Sequence, residues 1–270
     1  MAELQELLNQ AEDIVILEKN PAENRYRFAF PFSGDFARQC YQASSKLNTE
    51  LPEFDACWKF NGQINGSNPF LLTRAQRVLR PIGLELPDTL DLLKLDKQGK
   101  LKNGFYRDCG IYVHSDSQPN QETAKALIEK GKQEGCKLPL VWGFGDLDYK
   151  VVNGHAQIIS VAQPKRIISG KRAKAILEKF YRAGDSGAQR VSRDGSGDWD
   201  VGWNGFAFSG SDDLVDWLVA EGDRENLRQG YNNLFLRKYQ AQKEKLRKEI
   251  AQLDEQRKAE ETTVLESLKA

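Results

Sequence analysis

The chain has 270 residues, of which 40% are hydrophobic, and its 39 Lys and Arg residues balance its 39 Asp and Glu residues. This length and composition supply a core for one large domain or two ordinary ones and exclude a disordered chain. The zero formal net charge excludes a global attraction to nucleic acid or membranes, so any electrostatic partner must bind a local patch.

Cysteine and histidine usage gives no sign of a metal site. The chain has two histidines and four widely separated cysteines, without a C-x-x-C motif. This pattern argues against a zinc site and a dense disulfide framework, and we predict reduced cysteines, no metal and no cofactor. The opening residues MAELQELLNQAEDIVIL lack the basic segment of a secretory signal, and no stretch approaches eighteen apolar residues. We therefore expect a cytoplasmic protein without a membrane span.

Residues 1–162 are predicted to form a first α+β region. A short amphipathic helix over 3–12 precedes a hairpin formed by IVILEKN and RYRFAFPF, and Ser33 is predicted to cap a helix that reaches Leu47. The later elements predicted in this region are strands at 54–60, 110–114, 139–144 and 149–161, the last turning at Asn153-Gly154, and helices at 71–79, 87–95 and 123–133.

Residues 163–223 are predicted to form a second, smaller α+β region. Its elements are the strand RIIS, a helix over 171–182, the strands RVS and GWNGFAF, and a helix over DDLVDWLVAEG. The segments FAFPFSGDFARQC at 28–40 and FAFSGSDDLVDWL at 206–218 are similar, which predicts two related strand-helix units, the second helix capped near Ser209 or Ser211.

Residues 224–270 are predicted to form a long charged helix. Proline is absent there, and apolar residues fall on a three-four spacing at Leu236, Tyr239, Leu246, Ile250, Leu253 and Val264. Lys243, Arg257 and Glu260 interrupt this spacing, so we expect a docking helix or a weak coiled coil. The fold class is therefore α+β, with two small strand-helix regions followed by a long C-terminal helix.

A basic segment is the strongest candidate binding site. Residues 163–193 contain nine Lys and Arg residues against two acids, whereas 194–223 contain eight acids and no Lys or Arg. Cations at the start of a helix, together with its free N–H groups, can bind the phosphates of a nucleic acid, and Phe180 and Tyr181 can add stacking. The alternative is a solvated helix face that the acidic block neutralises. The candidate residues are Lys165, Arg166, Lys171, Arg172, Lys174, Lys179 and Arg182.

Other motifs predict less. Asp194, Ser196, Asp198 and Asp200 alternate as in a calcium loop, but Trp199 replaces the turn glycine, which favours a tight turn. Asp116, Asp148 and Lys150 can be assembled into a magnesium-dependent nuclease site, although such triplets occur by chance. His114 and His155 accompany no nucleophile motif, so we assign no catalytic residue. Trp199 and Trp203, flanked by glycines and aspartates, are the tryptophans predicted to be exposed.

One local resemblance concerns residues 25–62. The stretch RYRFAFPFSGDFARQCYQASSKLNTELPEFDACWKFNG resembles the strand, helix and F-D…W-x-F strand of HARP-type modules, which are small nucleic-acid-associated domains of annealing helicases. The spacing between Asp55 and Trp58 is two residues shorter than in that pattern, and helicase motifs are absent. The resemblance implies nucleic-acid contact through Arg25, Arg27, Arg38 and Lys59, and it carries no activity.

These patterns favour a non-enzymatic nucleic-acid-binding subunit of a larger bacterial or phage assembly, held to other protein subunits by the C-terminal helix. The alternatives are an interaction or scaffold protein without nucleic-acid binding and, third, a metal-dependent nuclease. The patterns leave open whether the nucleic acid is RNA or DNA. A map of surface charge separates the three, since they require a basic groove, local neutralisation and clustered carboxylates respectively.

Overall fold

A computed structural model describes residues 2–47, 57–66, 68–143, 146–152, 155–162, 166–182, 184, 186–202 and 214–267. Its α-helices are α1 (Ala2–Gln10), α2 (Gly34–Ser44), α3 (Pro69–Leu79), α4 (Thr89–Lys97), α5 (Gln121–Gln133), α6 (Gly170–Leu177) and α7 (Arg224–Ser267). Its strands are β1 (Val15–Asn20), β2 (Arg25–Pro31), β3 (Lys59–Phe60), β4 (Ile64–Asn65), β5 (Leu84–Glu85), β6 (Arg107–Val113), β7 (Leu140–Trp142), β8 (Asp146–Val152), β9 (His155–Ala162), β10 (Ile167–Ser169), β11 (Tyr181–Arg182), β12 (Ala188–Arg193), β13 (Trp199–Gly202), β14 (Leu214–Val215) and β15 (Trp217–Gly222). The predicted α+β class and the long C-terminal helix are confirmed.

Most predicted elements of the first region are present. The predicted hairpin is the antiparallel pair β1–β2, and α2 begins directly after Ser33, although the Ser33 side chain makes no capping hydrogen bond. The Leu-rich helix is α4, whose N-cap Asp88 forms a reciprocal capping box with Asp91. The predicted strand at 54–60 is described only from residue 57, with β3 at its end, and the Asn153-Gly154 turn lies outside the described residues.

Two sheets form the centre of the molecule. The first has the order β1-β2-β15-β5, all antiparallel, and the second has the order β10-β7-β6-β12-β13-β11, antiparallel except for β11 with β13. In both sheets, strands from 163–223 pair with strands from 1–162, as in β15 with β2 and β12 with β6. The two α+β regions of the chain therefore share their sheets.

The helix predicted over DDLVDWLVAEG is wrong. Residues 214–215 and 217–222 are strands, and β15 lies between β2 and β5 in the first sheet. Trp217 and Val219 pack in one hydrophobic core, whereas Leu218 and Ala220 pack in the other. Burial on both faces produces a continuous apolar run, which periodicity alone does not distinguish from a buried helix.

This correction also limits the predicted internal repeat. Its first copy is the strand β2 followed by the helix α2, as expected. In the second copy, residues 203–213 lie outside the described residues, and the residues that align with α2 form strands. The likeness of the two segments therefore does not extend to a shared strand-helix unit.

The helix α7 divides into a docked half and an exposed half. Leu227 and Leu234 are buried in the core, the Tyr231 hydroxyl donates to the Ile14 carbonyl at 2.8 Å, and Arg237 donates to the Ala11 carbonyl at 2.5 Å. Every residue from 238 to 262 is exposed. Among the described helices, none has the length and apolar character needed to cross a membrane.

Candidate nucleic-acid interface

The helix α6 presents the central part of the basic segment. It begins after Ser169 with Gly170 at φ +56°, and the Gly170 N–H donates to the carbonyls of Lys137 and Pro139 at 2.8 and 3.0 Å. Glycine tolerates this left-handed conformation without strain. Ala173 and Leu177 are fully buried against the second core, which fixes the inward face of the helix. Lys171, Arg172 and Lys174 lie on the opposite, exposed side of the helix.

The helix predicted over 171–182 ends at Leu177, and residues 181–182 form β11. Four exposed cations on α6 and in the turn after it define what we call the basic face: Lys171, Arg172, Lys174 and Lys179. All four are exposed, and none forms an ion pair with another described residue. Arg182 is also exposed but has an interaction of its own, and Lys165 lies outside the described residues. The basic face therefore keeps its charge available to an external anion.

A groove of about 460 Å³ runs between α4 and α6 beside the basic face. Arg172 lines it from α6, Lys179 from the turn after α6, and Lys97 from α4. The one carboxylate in the lining, Asp96, is already used by the chain, because it accepts from Arg193 Nε at 2.8 Å and Trp199 Nε1 at 3.0 Å. The groove thus combines three cations and a neutralised acid with an apolar lining of Leu93, Ala175, Ile176 and Phe180.

Aromatic residues near the groove have different environments. Phe180 is 7% exposed and stacks on Trp199 at a ring-centroid distance of 5.2 Å, so it supports the floor of the groove. Tyr181 is 76% exposed and lies on β11, an edge strand of the second sheet. Trp199, predicted to be exposed, is half-buried, and Trp203 lies outside the described residues. Of Phe180, Tyr181 and Trp199, Tyr181 is therefore the ring most open to an external base.

Arg166 belongs to the same charge run but is tied into the fold. It donates to Asp91 Oδ1 at 2.8 Å and to Glu18 Oε1 at 2.6 Å, and its Nε lies 3.1 Å from Asp88 Oδ2. Asp91 is fully buried and also accepts two hydrogen bonds from Arg27, at 3.0 and 2.6 Å. We call these five residues the acid-arginine network. It joins β1 and β2 of the first sheet to α4 and to the start of β10.

The pKa values in this network are shifted in opposite directions. Burial and the neighbouring Asp91 raise the pKa of Asp88 to about 6, against the lowering effect of Arg166 and Arg27. Burial also acts to raise the pKa of Asp91, but its hydrogen bonds to Arg27 and the charges of Arg27 and Arg166 outweigh burial and lower it. Asp91 is therefore the main counter-charge for two arginines.

The described acids of 194–223 do not neutralise the basic face. Asp194 closes the β12–β13 turn by accepting the backbone N–H groups of Ser196, Gly197 and Asp198, each at 2.9 Å, so the predicted tight turn is confirmed. Other acids of this block have partners elsewhere: Asp200 accepts from Ser192, Asp216 pairs with Arg107, Glu221 pairs with Arg25, and Asp223 accepts from the Asn226 backbone. Among the described residues, no acid of this block pairs with the basic face, and the alternative of a solvated helix face stays open.

The alternative nuclease residues lie on different parts of the fold. Asp148 lies on β8 and is 3.3 Å from Arg77, Lys150 lies on the same strand, and Asp116 lies in the loop after β6. No group of three His, Cys, Asp or Glu residues able to hold a metal occurs in the described part of the chain. The rings of His114 and Tyr112 are tilted against each other with centroids 6.4 Å apart, and His155 lies on β9.

The four positions implied by the HARP resemblance differ in availability. Arg25 pairs with Glu221, Arg27 belongs to the acid-arginine network, and Arg38 pairs with Asp35 of its own helix at 2.8 Å. Lys59 is exposed on β3. Three of the four arginine and lysine side chains therefore have intramolecular partners. Comparison with protein-family models, with curated proteins and with solved structures found no match for this chain.

The sequence did not reveal the roles of Arg166 and Asp96. Arg166 pairs with Glu18 across 148 positions and with Asp91 across 75, and Asp96 pairs with Arg193 across 97. Spacing along the chain carries no signal for such distant pairs. The Asp88-x-x-Asp91 capping pattern before a Leu-rich helix was the one local clue to a carboxylate fixed at this position.

Proposed function

We propose that this chain is a non-enzymatic, cytoplasmic nucleic-acid-binding subunit that contacts phosphates through the basic face and a protein partner through α7. The observation that carries the proposal is the set of four exposed cations beside a groove, none of them paired with a described acid. The HARP resemblance of residues 25–62 points to the same class of ligand.

The basic face is suited to the backbone of a nucleic acid rather than to its sequence. Lysine and arginine side chains attract phosphates as charges and release counterions, but they carry no information about bases unless they enter a groove of the duplex. Tyr181 adds an exposed ring next to Lys179 and Arg182, and every base has a face that can stack on it. This combination favours a single strand, whose bases are free to stack, over a duplex.

The proposal is tested by reversing Lys171, Arg172 and Lys174 to Glu. The variant should lose at least about tenfold in affinity for unrelated single strands alike, and the salt dependence of its binding should flatten. The matched control reverses Lys238, Lys248 and Lys258 of α7, which changes the net charge equally at another exposed surface. Equal loss in both variants would mean that only net charge matters and would contradict the proposal.

A second candidate is an interaction or scaffold protein without nucleic-acid binding. The observation that favours it is the apolar side chains exposed on α7, including Leu246 at 50%, Ile250 at 59% and Leu253 at 64%. If the wild-type chain binds no single or double strand at low salt, while substitutions of these apolar residues on α7 change its association with protein, this second candidate replaces the first.

A further inference from the structure

The exposed half of α7 presents an apolar stripe that the chain itself does not cover. Residues 238–267 span about 45 Å of helix. Tyr239, Leu246, Ile250 and Leu253 are each at least half exposed in this part of the helix. A single helix without tertiary packing is marginal in water, so a second surface must supply the stabilisation that this half lacks.

The stripe follows a heptad repeat. With Leu236 at position a, the a and d positions keep one register through Tyr239, Lys243, Leu246, Ile250, Leu253, Arg257 and Glu260, the three charged residues replacing apolar ones. This alternation of three and four residues is the pattern of a two-stranded coiled coil. We call these positions the seam. Its three charged residues decide which partner and which orientation are compatible with it.

A parallel pairing of two copies is disfavoured at every charged layer. It would place Lys243, Arg257 and Glu260 each against the same residue of the second copy. Beside the seam, Glu249 at position g would face Asp254 at position e of the other helix. Like charges at these positions are used in coiled coils to exclude a pairing.

An antiparallel pairing centred between residues 251 and 252 reverses these relations. Lys243 then meets Glu260 of the second copy, Ile250 meets Leu253, and the same contacts repeat across the two-fold axis. Leu246 meets Arg257, whose aliphatic stem can pack on it while its charged end stays in water. Arg247 meets Asp254 at the flanking e positions. Among the described residues, neither Lys243 nor Glu260 has an ion pair within its own chain, so both are available.

Neighbouring antiparallel registers are worse. A shift by one heptad in one direction places Arg247 against its own copy and removes the Lys243–Glu260 pair. A shift in the other direction places Ile250 against Glu260. The register centred at 251 and 252 also overlaps nearly the whole exposed half of α7, which buries the most apolar surface on each copy.

We infer that α7 is an antiparallel dimerisation helix whose partner is a second copy of this chain, held in register by reciprocal Lys243–Glu260 and Arg247–Asp254 pairs. This inference rests on the proposed role of α7 as an interaction helix and is independent of the basic face. The dimer places two basic faces on one assembly, which increases avidity for a long polyanion.

A charge-swap series tests the orientation directly. Lys243→Glu and Glu260→Lys should each weaken the dimer at least about tenfold, because each creates two like-charge contacts, and the double variant K243E/E260K should restore it. The two positions lie about 25 Å apart on one helix, so the rescue cannot arise within one chain. In a parallel dimer the double variant would pair like with like and bring no rescue.

The measurement is sedimentation equilibrium of the full chain at low and moderate salt. The matched control is Lys248→Glu with Glu255→Lys, two f positions on the outer face, which should leave the dimer constant unchanged. A wild-type chain that stays monomeric, or a double variant weaker than both single variants, would overturn the inference. If the wild type is monomeric but binds nucleic acid with a salt dependence that the Lys171, Arg172 and Lys174 reversal removes, the dimer inference falls and the proposed phosphate contact stands.

Discussion

Arg166 and the basic face belong to one charge run but occupy opposite environments. Arg166 has three carboxylate partners and lies between two sheets, whereas Lys171, five residues later, is exposed and has no ion pair with a described residue. The difference shows that a cluster of positive charge in a sequence can mix side chains that hold the fold with side chains left for a ligand. Which is which depends on the acids that the fold brings near, not on spacing in the chain.

The largest effect should come from removing the shared acid of the network. Asp91→Asn should lower the free energy of unfolding by about 3–5 kcal/mol, because Arg27 and Arg166 would keep their buried charge without their main partner. Urea unfolding at pH 7 measures this. The matched surface control is Asp35→Asn, which breaks an exposed pair with Arg38 and should cost less than about 0.5 kcal/mol. Equal costs for the two variants would mean that burial of the network adds nothing.

The same Leu→Ala substitution should affect stability very differently in the docked and exposed halves of α7. Leu234→Ala should cost about 2–4 kcal/mol because its side chain is buried against the core. Leu246→Ala, the same substitution in the exposed half, should leave unfolding of the body within about 0.5 kcal/mol at low protein concentration. Thermal unfolding of both variants provides the comparison. A large loss of unfolding free energy for Leu246→Ala in the monomer would mean that the exposed half of α7 packs on the body, which contradicts the account.

A smaller effect is the pH dependence of stability, which should have opposite signs for Asp88 and Asp91. The pKa of Asp88 is raised to about 6, so its contribution to stability is present below about pH 4 and is lost as the pH rises through 6. The pKa of Asp91 is lowered, so its contribution is present above about pH 4 and is lost on acidification. Asp88→Asn keeps a good N-cap and cannot ionise. Its cost in free energy of unfolding should therefore be smaller at pH 7, where the buried charge of Asp88 destabilises the wild type, than at pH 4. A cost that grows from pH 4 to pH 7 would reverse this assignment.

The sequence predicted those parts of the fold whose signals are local. The hairpin β1–β2, the helix after Ser33 and the Asp194 turn follow from alternation and from turn residues that act over a few positions. It failed at Trp217–Gly222, where burial on both faces of a central strand removes the alternation that identifies a strand.

The candidate site was predictable only in outline. A surplus of positive charge at 163–193 marks the segment, but the separation of Arg166 from the basic face depends on Glu18, Asp88 and Asp91, which are distant in sequence. The groove likewise requires α4 beside α6. Contacts of this kind arise from the tertiary fold, and they leave no periodic pattern in the sequence from which they could be predicted.

The central claim is tested most directly by neutralising the two sets of cations separately. Arg166→Gln should lower stability by about 1–3 kcal/mol while leaving the salt slope of nucleic-acid binding unchanged. Neutralising Lys171, Arg172 and Lys174 to Gln should leave stability within about 0.5 kcal/mol and reduce the slope of log affinity against log salt by about 2–3. The account thus predicts that one variant changes only stability and the other changes only the salt slope. It would be contradicted if Arg166→Gln flattened the salt slope in a folded protein while the triple variant bound with an unaltered slope.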